Sequence, residues 1–139
     1  MRRIEKLLYT AQTHTVGGRD GRGRSSDGHL DVILTPPALG RPGTNPEQLL
    51  AVGWSACFMG AMRRAGADFG IKVPNGAEID AEVSLGQTRD DGFALTMKMT
   101  VHIPDLPAED KQRLVAGAHE RCPYSLATKG NIDVQFVIP

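Results

Sequence analysis

Long apolar runs, net charge, aromatic side chains and cysteines are all scarce in this sequence, and each shortage removes a class of function. No stretch of the chain approaches the roughly 20 apolar residues that a bilayer-spanning helix needs. Lys and Arg number 16, Asp and Glu number 16, and the formal charge is zero, so bulk charge draws the protein neither to nucleic acid nor to a membrane surface. The arginines near the start (Arg2, Arg3, Arg19, Arg22, Arg24) lack the interleaved aromatics of a base-stacking arm and read as local electrostatics. The opening MRRIEKLLYT is positive but carries no apolar run of signal-peptide length, which leads to an expectation of a cytoplasmic protein.

With only two cysteines there is no disulfide framework, and in a reducing compartment a permanent staple is disfavoured. Cys57 and Cys122 are then either inert core residues or a pair that cycles, and composition by itself leans to the first. No CxxC or HxxxH pair is present, and His14, His29, His102 and His119 are scattered, so no metal site is expected. A hydrolase elbow of the form GxSxG is missing, and GGRDGRG is not followed by the GK[ST] of a phosphate loop.

What remains is a chain of 139 residues, 40% hydrophobic and 23% charged, which fits one domain (1–139) with a real core. Residues 7–16 are rich in Thr, Tyr and Val and read as a first strand. Residues 17–28 hold too much glycine for a helix and read as a turn-rich hairpin region, followed by a strand over 29–35. Asn45-Pro46-Glu47-Gln48 has the cap, the first-turn proline, the acid and the amide that open a helix. That helix is apolar around nearly its whole circumference, which predicts burial on all sides, and Arg63, Arg64 and Gly66 close it.

Strict alternation over 77–86 and 93–103, with Asp90-Asp91-Gly92 between, predicts an antiparallel hairpin with one wet and one buried face. Pro107 opens a helix to about Arg121, Pro123 opens a short helical turn ended by Gly130, and 132–138 is a last strand. The order βββ-α-ββ-α-β is α+β, with a mostly antiparallel sheet of about six strands packed on one central apolar helix. One such sheet cannot cover that helix on every side, so a second copy is expected to cover the rest, as a homodimer.

Neither cysteine declares its role from local pattern. Cys57 stands about three turns into the apolar helix, where burial raises a thiol pKa unless a cation is at hand, and Arg19 in its glycine-rich turn is a candidate. Cys122 precedes Pro123 at or near the N-cap of the short helix, where free N–H groups favour a thiolate. Their separation of 65 residues neither brings them together nor keeps them apart.

Three blocks, LYTAQTHTVGGRDGRGRSSDGHLDV, GTNPEQLLAVGWSACFMGAM and CPYSLATKGNIDV, resemble in order and spacing the organic hydroperoxide resistance branch of the OsmC-like family. The resemblance runs from about residue 5 to the last residues. It implies an OsmC-like fold, a mostly antiparallel sheet wrapped around a central buried helix, and an intertwined homodimer with active sites at the subunit interface. It places the peroxidatic cysteine on Cys57 in SACF, the resolving cysteine on Cys122 in CPYS, an arginine on Arg19 in GGRDG and a glutamate on Glu47 in NPEQL. The implied activity is reduction of organic hydroperoxides through a sulfenic acid and a Cys57–Cys122 disulfide. No bound cofactor is implied; an external dithiol, the dihydrolipoyl group of a lipoylated protein, would be the reductant.

Trp54, Phe58 and Met59 flank Cys57 and serve either as lining for a hydrophobic peroxide or as plain core. Glu47 and Cys57 are ten residues apart. On one straight helix that is about 15 Å of axial rise, so a single guanidinium does not easily touch both. Either the helix breaks near Gly53, or Arg19 and Glu47 reach Cys57 from a partner subunit.

Overall fold

Glycine and proline punctuate the first third of the chain, and the strands between them are short. The computed structural model describes all residues from Met1 to Pro139, in two compact units, Met1–Pro46 and Glu47–Pro139. In the first, β1 (Thr13–Val16), β2 (Gly21–Ser25) and β3 (Asp31–Leu34) form an antiparallel sheet in the order β1-β2-β3. The register pairs Val16 with Arg22 and Gly23 with Val32.

The strand expected over 7–16 is only its last four residues, and Leu7, Leu8 and Tyr9 lie outside it and exposed. The hairpin region expected over 17–28 contains a strand of its own. Gly17 and Gly18 take positive φ, so the turn closes tightly with Asp20 N–H on the Gly17 carbonyl at 3.2 Å, and the chain is extended again by Gly21. Arg22 grips Asp31 across the strands through two bonds of 2.8 Å. Burial here is slight: Leu34 and Thr35 are inside, with the Thr35 hydroxyl donating to the Pro42 carbonyl at 2.9 Å.

The second unit is built on α1 (Pro46–Phe69), with β4 (Glu78–Gln87), β5 (Phe93–His102), α2 (Ala108–Arg121), α3 (Pro123–Thr128) and β6 (Asp133–Val137). Trp54, Phe58, Ala61, Met62, Ala65 and Gly66 recur at helical spacing and are the buried face of α1. Burial on all sides is not what one chain provides, because Val52 on the other side is 71% exposed. Nor does the helix close at Gly66. It runs on to Phe69 and stops at Gly70, whose φ of 70° lets Ile71 N–H return to the Gly66 carbonyl at 2.8 Å. Gly66 is small for packing, since a Cβ there would collide with the Ile71 carbonyl oxygen.

The alternating hairpin has the expected pairing, Val83 opposite Met97 and Ala81 opposite Met99. Its base is in the core, with Met97, Met99, Val101 and Ile103 buried, while Leu85 and Phe93 near the tip are exposed. β6 then lies parallel to β5, Val134 beside Met97, so α2 and α3 are the crossover that a parallel pair requires. The expected single sheet of about six strands is therefore two sheets of three, β1-β2-β3 and β4-β5-β6. The architecture is α+β with three α-helices. No helix is long and apolar enough to cross a membrane.

Candidate active site

A thiol in the middle of a helix can point only where the helix face points, and Cys57 shares the edge of the α1 core face. It is partly buried and packs against the core formed by Trp54, Phe58 and Met62. Cys122 sits at the joint between two helices. Its N–H closes α2 on the Ala118 carbonyl at 2.8 Å, its carbonyl accepts the Leu126 N–H of α3 at 2.9 Å, and its side chain is fully buried. Pro123 forces this joint, because it has no N–H to continue α2 and suits the first position of a new helix. The joint aims Cys122 at α1, and the Cys122 thiol donates to Cys57 Sγ at 3.3 Å. Both thiols are free.

The electrostatics of Cys57 come mainly from desolvation. Burial pushes its pKa above the ordinary thiol value, the Tyr124 backbone N–H pulls it down, the Cys122 thiol pushes it up, and Arg64 pulls it down. The helix N-terminus was expected to serve Cys122. Cys122 makes no side-chain capping bond on α3, and the backbone influence of Tyr124, in that first turn, falls on Cys57. The Cys122 thiol is engaged with Cys57 on α1 instead.

The other sequence-selected residues fall as follows. Arg19 is in the Gly17–Asp20 turn of the first unit, exposed. Glu47 is in the first turn of α1. Helix α1 is unbroken from Pro46 to Phe69, which removes a break at Gly53 and leaves Glu47 and Cys57 ten residues apart on one helix. Trp54 and Phe58 are fully buried, Phe58 stacked on Phe136 at 5.2 Å between ring centroids, and Met59 is partly buried at the core edge.

Two residues beside the thiols escaped the sequence reading. The Tyr124 backbone draws the Cys57 pKa down, and its ring lies on Trp54 at 6.3 Å with 22° between planes. Ser125, fully buried, accepts the Trp54 indole N–H at 3.2 Å. The usable signal was Trp54 itself, since a tryptophan in an apolar helix needs a partner for its N–H, and CPYS offers a hydroxyl.

Comparison with known proteins adds an independent line. Residues 39–137 match the family described as OsmC-like protein. The organic hydroperoxide resistance protein of Xanthomonas axonopodis pv. citri is 44% identical over 138 residues, covering 96% of this chain and 96% of the relative. OhrB of Bacillus subtilis, named an organic hydroperoxide resistance protein, is 43% identical over 133 residues, covering 93% and 96%. The crystal structure of Bacillus subtilis OhrB superposes with a TM-score of 0.90 at 42% identity, covering 96% of this chain and all of that one. A crystal structure of an organic hydroperoxide resistance protein from Legionella pneumophila gives 0.87 at 40% identity, covering 96% and 98%.

Proposed function

The chain belongs to the OsmC family, and from that membership and its two apposed thiols we propose that it is a cysteine-based peroxidase that reduces organic hydroperoxides. The observation that carries the reading is the 3.3 Å between Cys57 Sγ and Cys122 Sγ, in a fold shared with proteins named for organic hydroperoxide resistance. Two thiols this near are poised to close to a bond of about 2.05 Å with little backbone movement.

In the proposed reaction the Cys57 thiolate attacks the terminal peroxide oxygen. The O–O bond breaks, the organic fragment takes a proton and leaves as an alcohol, and sulfur keeps one oxygen as a sulfenic acid. Cys122 then attacks that sulfur. The S–S bond forms, and the sulfenic oxygen departs with the thiol proton as water. Cys57 is the attacking thiol because it is the partly accessible one, while Cys122 is fully buried. An external dithiol, a dihydrolipoyl group on a lipoylated protein, reopens the disulfide and becomes a disulfide itself.

Burial alone leaves Cys57 a poor nucleophile, so the reading requires a cation. Arg19 is assigned that role, lowering the Cys57 pKa and stabilising charge on the peroxide oxygens, with Glu47 orienting the guanidinium. The unbroken α1 favours delivery of both by a second copy of the chain, and Val52, exposed on α1, is apolar surface for that copy to cover. The substrate side would be apolar, with Met59 at the core edge, which suits alkyl and fatty-acid hydroperoxides over hydrogen peroxide. The proposed setting is a reducing cytoplasm, where a cysteine pair closes only transiently.

The test is a free-thiol count after one equivalent of cumene hydroperoxide, on wild type and on Cys57→Ser. Rapid loss of two thiols in wild type and none in the variant is the expected result. Persistence of both thiols in wild type would overturn the proposal.

A further inference from the structure

Ser125 is the one polar side chain buried in the Glu47–Pro139 unit, and it sits in an otherwise apolar core. Its hydroxyl accepts the indole N–H of Trp54, which is fully buried as well. Trp54 stands three residues before Cys57 on α1, and Ser125 stands three residues after Cys122 on α3. The hydrogen bond and the sulfur pair are thus adjacent rungs between the same two helices, each about one turn from the other.

We propose that Ser125 is a positioning residue for the dithiol, holding α3 against α1 through the Trp54 indole at the register where Cys122 meets Cys57. Three observations converge on this. First, α3 has six residues, too few to hold its own helical shape or position without tertiary contacts. Second, two other contacts between α3 and α1 are compliant: a 6.3 Å ring stack of Tyr124 on Trp54 and the thiol pair itself, which must change during turnover. The indole N–H is donor only, so buried Trp54 needs an acceptor, and the Ser125 hydroxyl oxygen supplies it at 3.2 Å. Third, Gly53 leaves the space this register needs, since a Cβ there would stand 3.2 Å from the Tyr124 hydroxyl.

The functional consequence rests on the peroxidase reading, but the positioning claim does not, and the experiment separates them. The reduced full-length protein is equilibrated with mixtures of reduced and oxidised glutathione, in which two protein thiols are oxidised to one disulfide as one oxidised glutathione becomes two reduced ones. The midpoint measures how strongly the fold pairs Cys57 with Cys122, whatever the substrate. Ser125→Ala is expected to weaken pairing about tenfold, the scale of one hydrogen bond, and Ser125→Thr, which keeps the hydroxyl, to restore most of it.

Trp54→Phe with Ser125→Ala removes donor and acceptor together. A merely structural bond predicts that this double variant regains both melting temperature and pairing, which would overturn the proposal; positioning predicts that pairing stays weakened. Wild-type pairing in Ser125→Ala would overturn it as well. Where Ser125→Ala does not fold, the double variant decides. In peroxide turnover the same variants are expected to prolong the Cys57 sulfenic acid, trapped with dimedone. If wild type consumes no peroxide, the peroxidase reading falls while the glutathione midpoints still decide the role of Ser125.

Discussion

The two units of this chain divide stability from charge. Glu47–Pro139 has a continuous apolar core, a hairpin of two ten-residue strands and both cysteines. Met1–Pro46 has strands of four and five residues, buries Leu34 and Thr35, and leaves Ile4, Leu7, Leu8, Tyr9, Val16 and Ile33 exposed. A nucleophilic thiol benefits from a rigid, partly dry site, and the second unit provides one, at the expense of a raised Cys57 pKa. An arginine keeps its charge without desolvation in an exposed, glycine-rich turn, and that is where Arg19 stands. Under the proposed function each unit holds the group that the other's environment suits poorly.

The division breaks first at the thiol. Cys57→Ser is expected to abolish peroxide consumption, a loss of more than about a thousandfold, as removal of a covalent nucleophile does. Cys122→Ser is expected to keep the first turnover and then gain oxygens on Cys57, read by mass spectrometry of the intact protein.

Arg19→Ala tests whether the first unit takes part in the chemistry. The expected loss is about a hundredfold or more in stopped-flow peroxide consumption, the size of a removed charge-stabilising group. The Cys57 titration, followed by thiolate absorbance, is expected to move up in pH, because what remains around the thiol is dominated by burial. An unchanged rate and titration would confine the chemistry to the second unit.

Packing sharpens the comparison at smaller scale. Gly66→Ala puts a methyl group against the Ile71 carbonyl, which must move, so a loss of about 1–3 kcal/mol is expected in denaturant unfolding. Gly70 is the helix stop in open space, and alanine there is opposed only by its φ of 70°, for a cost nearer about 1 kcal/mol.

The smallest effect is a pH dependence in the second unit. His119 meets Phe136 edge-on at 5.0 Å between centroids, and its buried Nδ1 has no hydrogen-bond partner. Burial lowers its pKa, Lys129 lowers it further and Glu120 raises it. A lowered folded pKa means that the unfolded chain binds the proton first. The contribution is therefore intact above the unfolded value of about 6.5 and declines as pH falls from there to the folded pKa. His119→Phe is expected to flatten that slope in melting curves taken across this range.

Legibility in the sequence followed the same division. In the second unit, Ile79-Ala81-Val83 alternating against Met97-Met99-Val101 was enough to foretell the hairpin, and Pro46-Glu47 the start of α1. In the first unit the glycines that suggested turns concealed β2, because glycine permits extended backbone as readily as turns and only pairing across Arg22 and Ile33 selects between them.

By itself the sequence carried the family, through three blocks that resemble it, and the α+β order, through periodicities that act over a few neighbours. Tertiary structure alone decided that Cys122 lies 3.3 Å from Cys57, that Trp54 is held by Ser125, and that β6 runs parallel to β5. The first two depend on where the Cys122-Pro123 joint directs α3 against α1. That direction follows from packing between segments some 70 residues apart, for which local pattern carries no record.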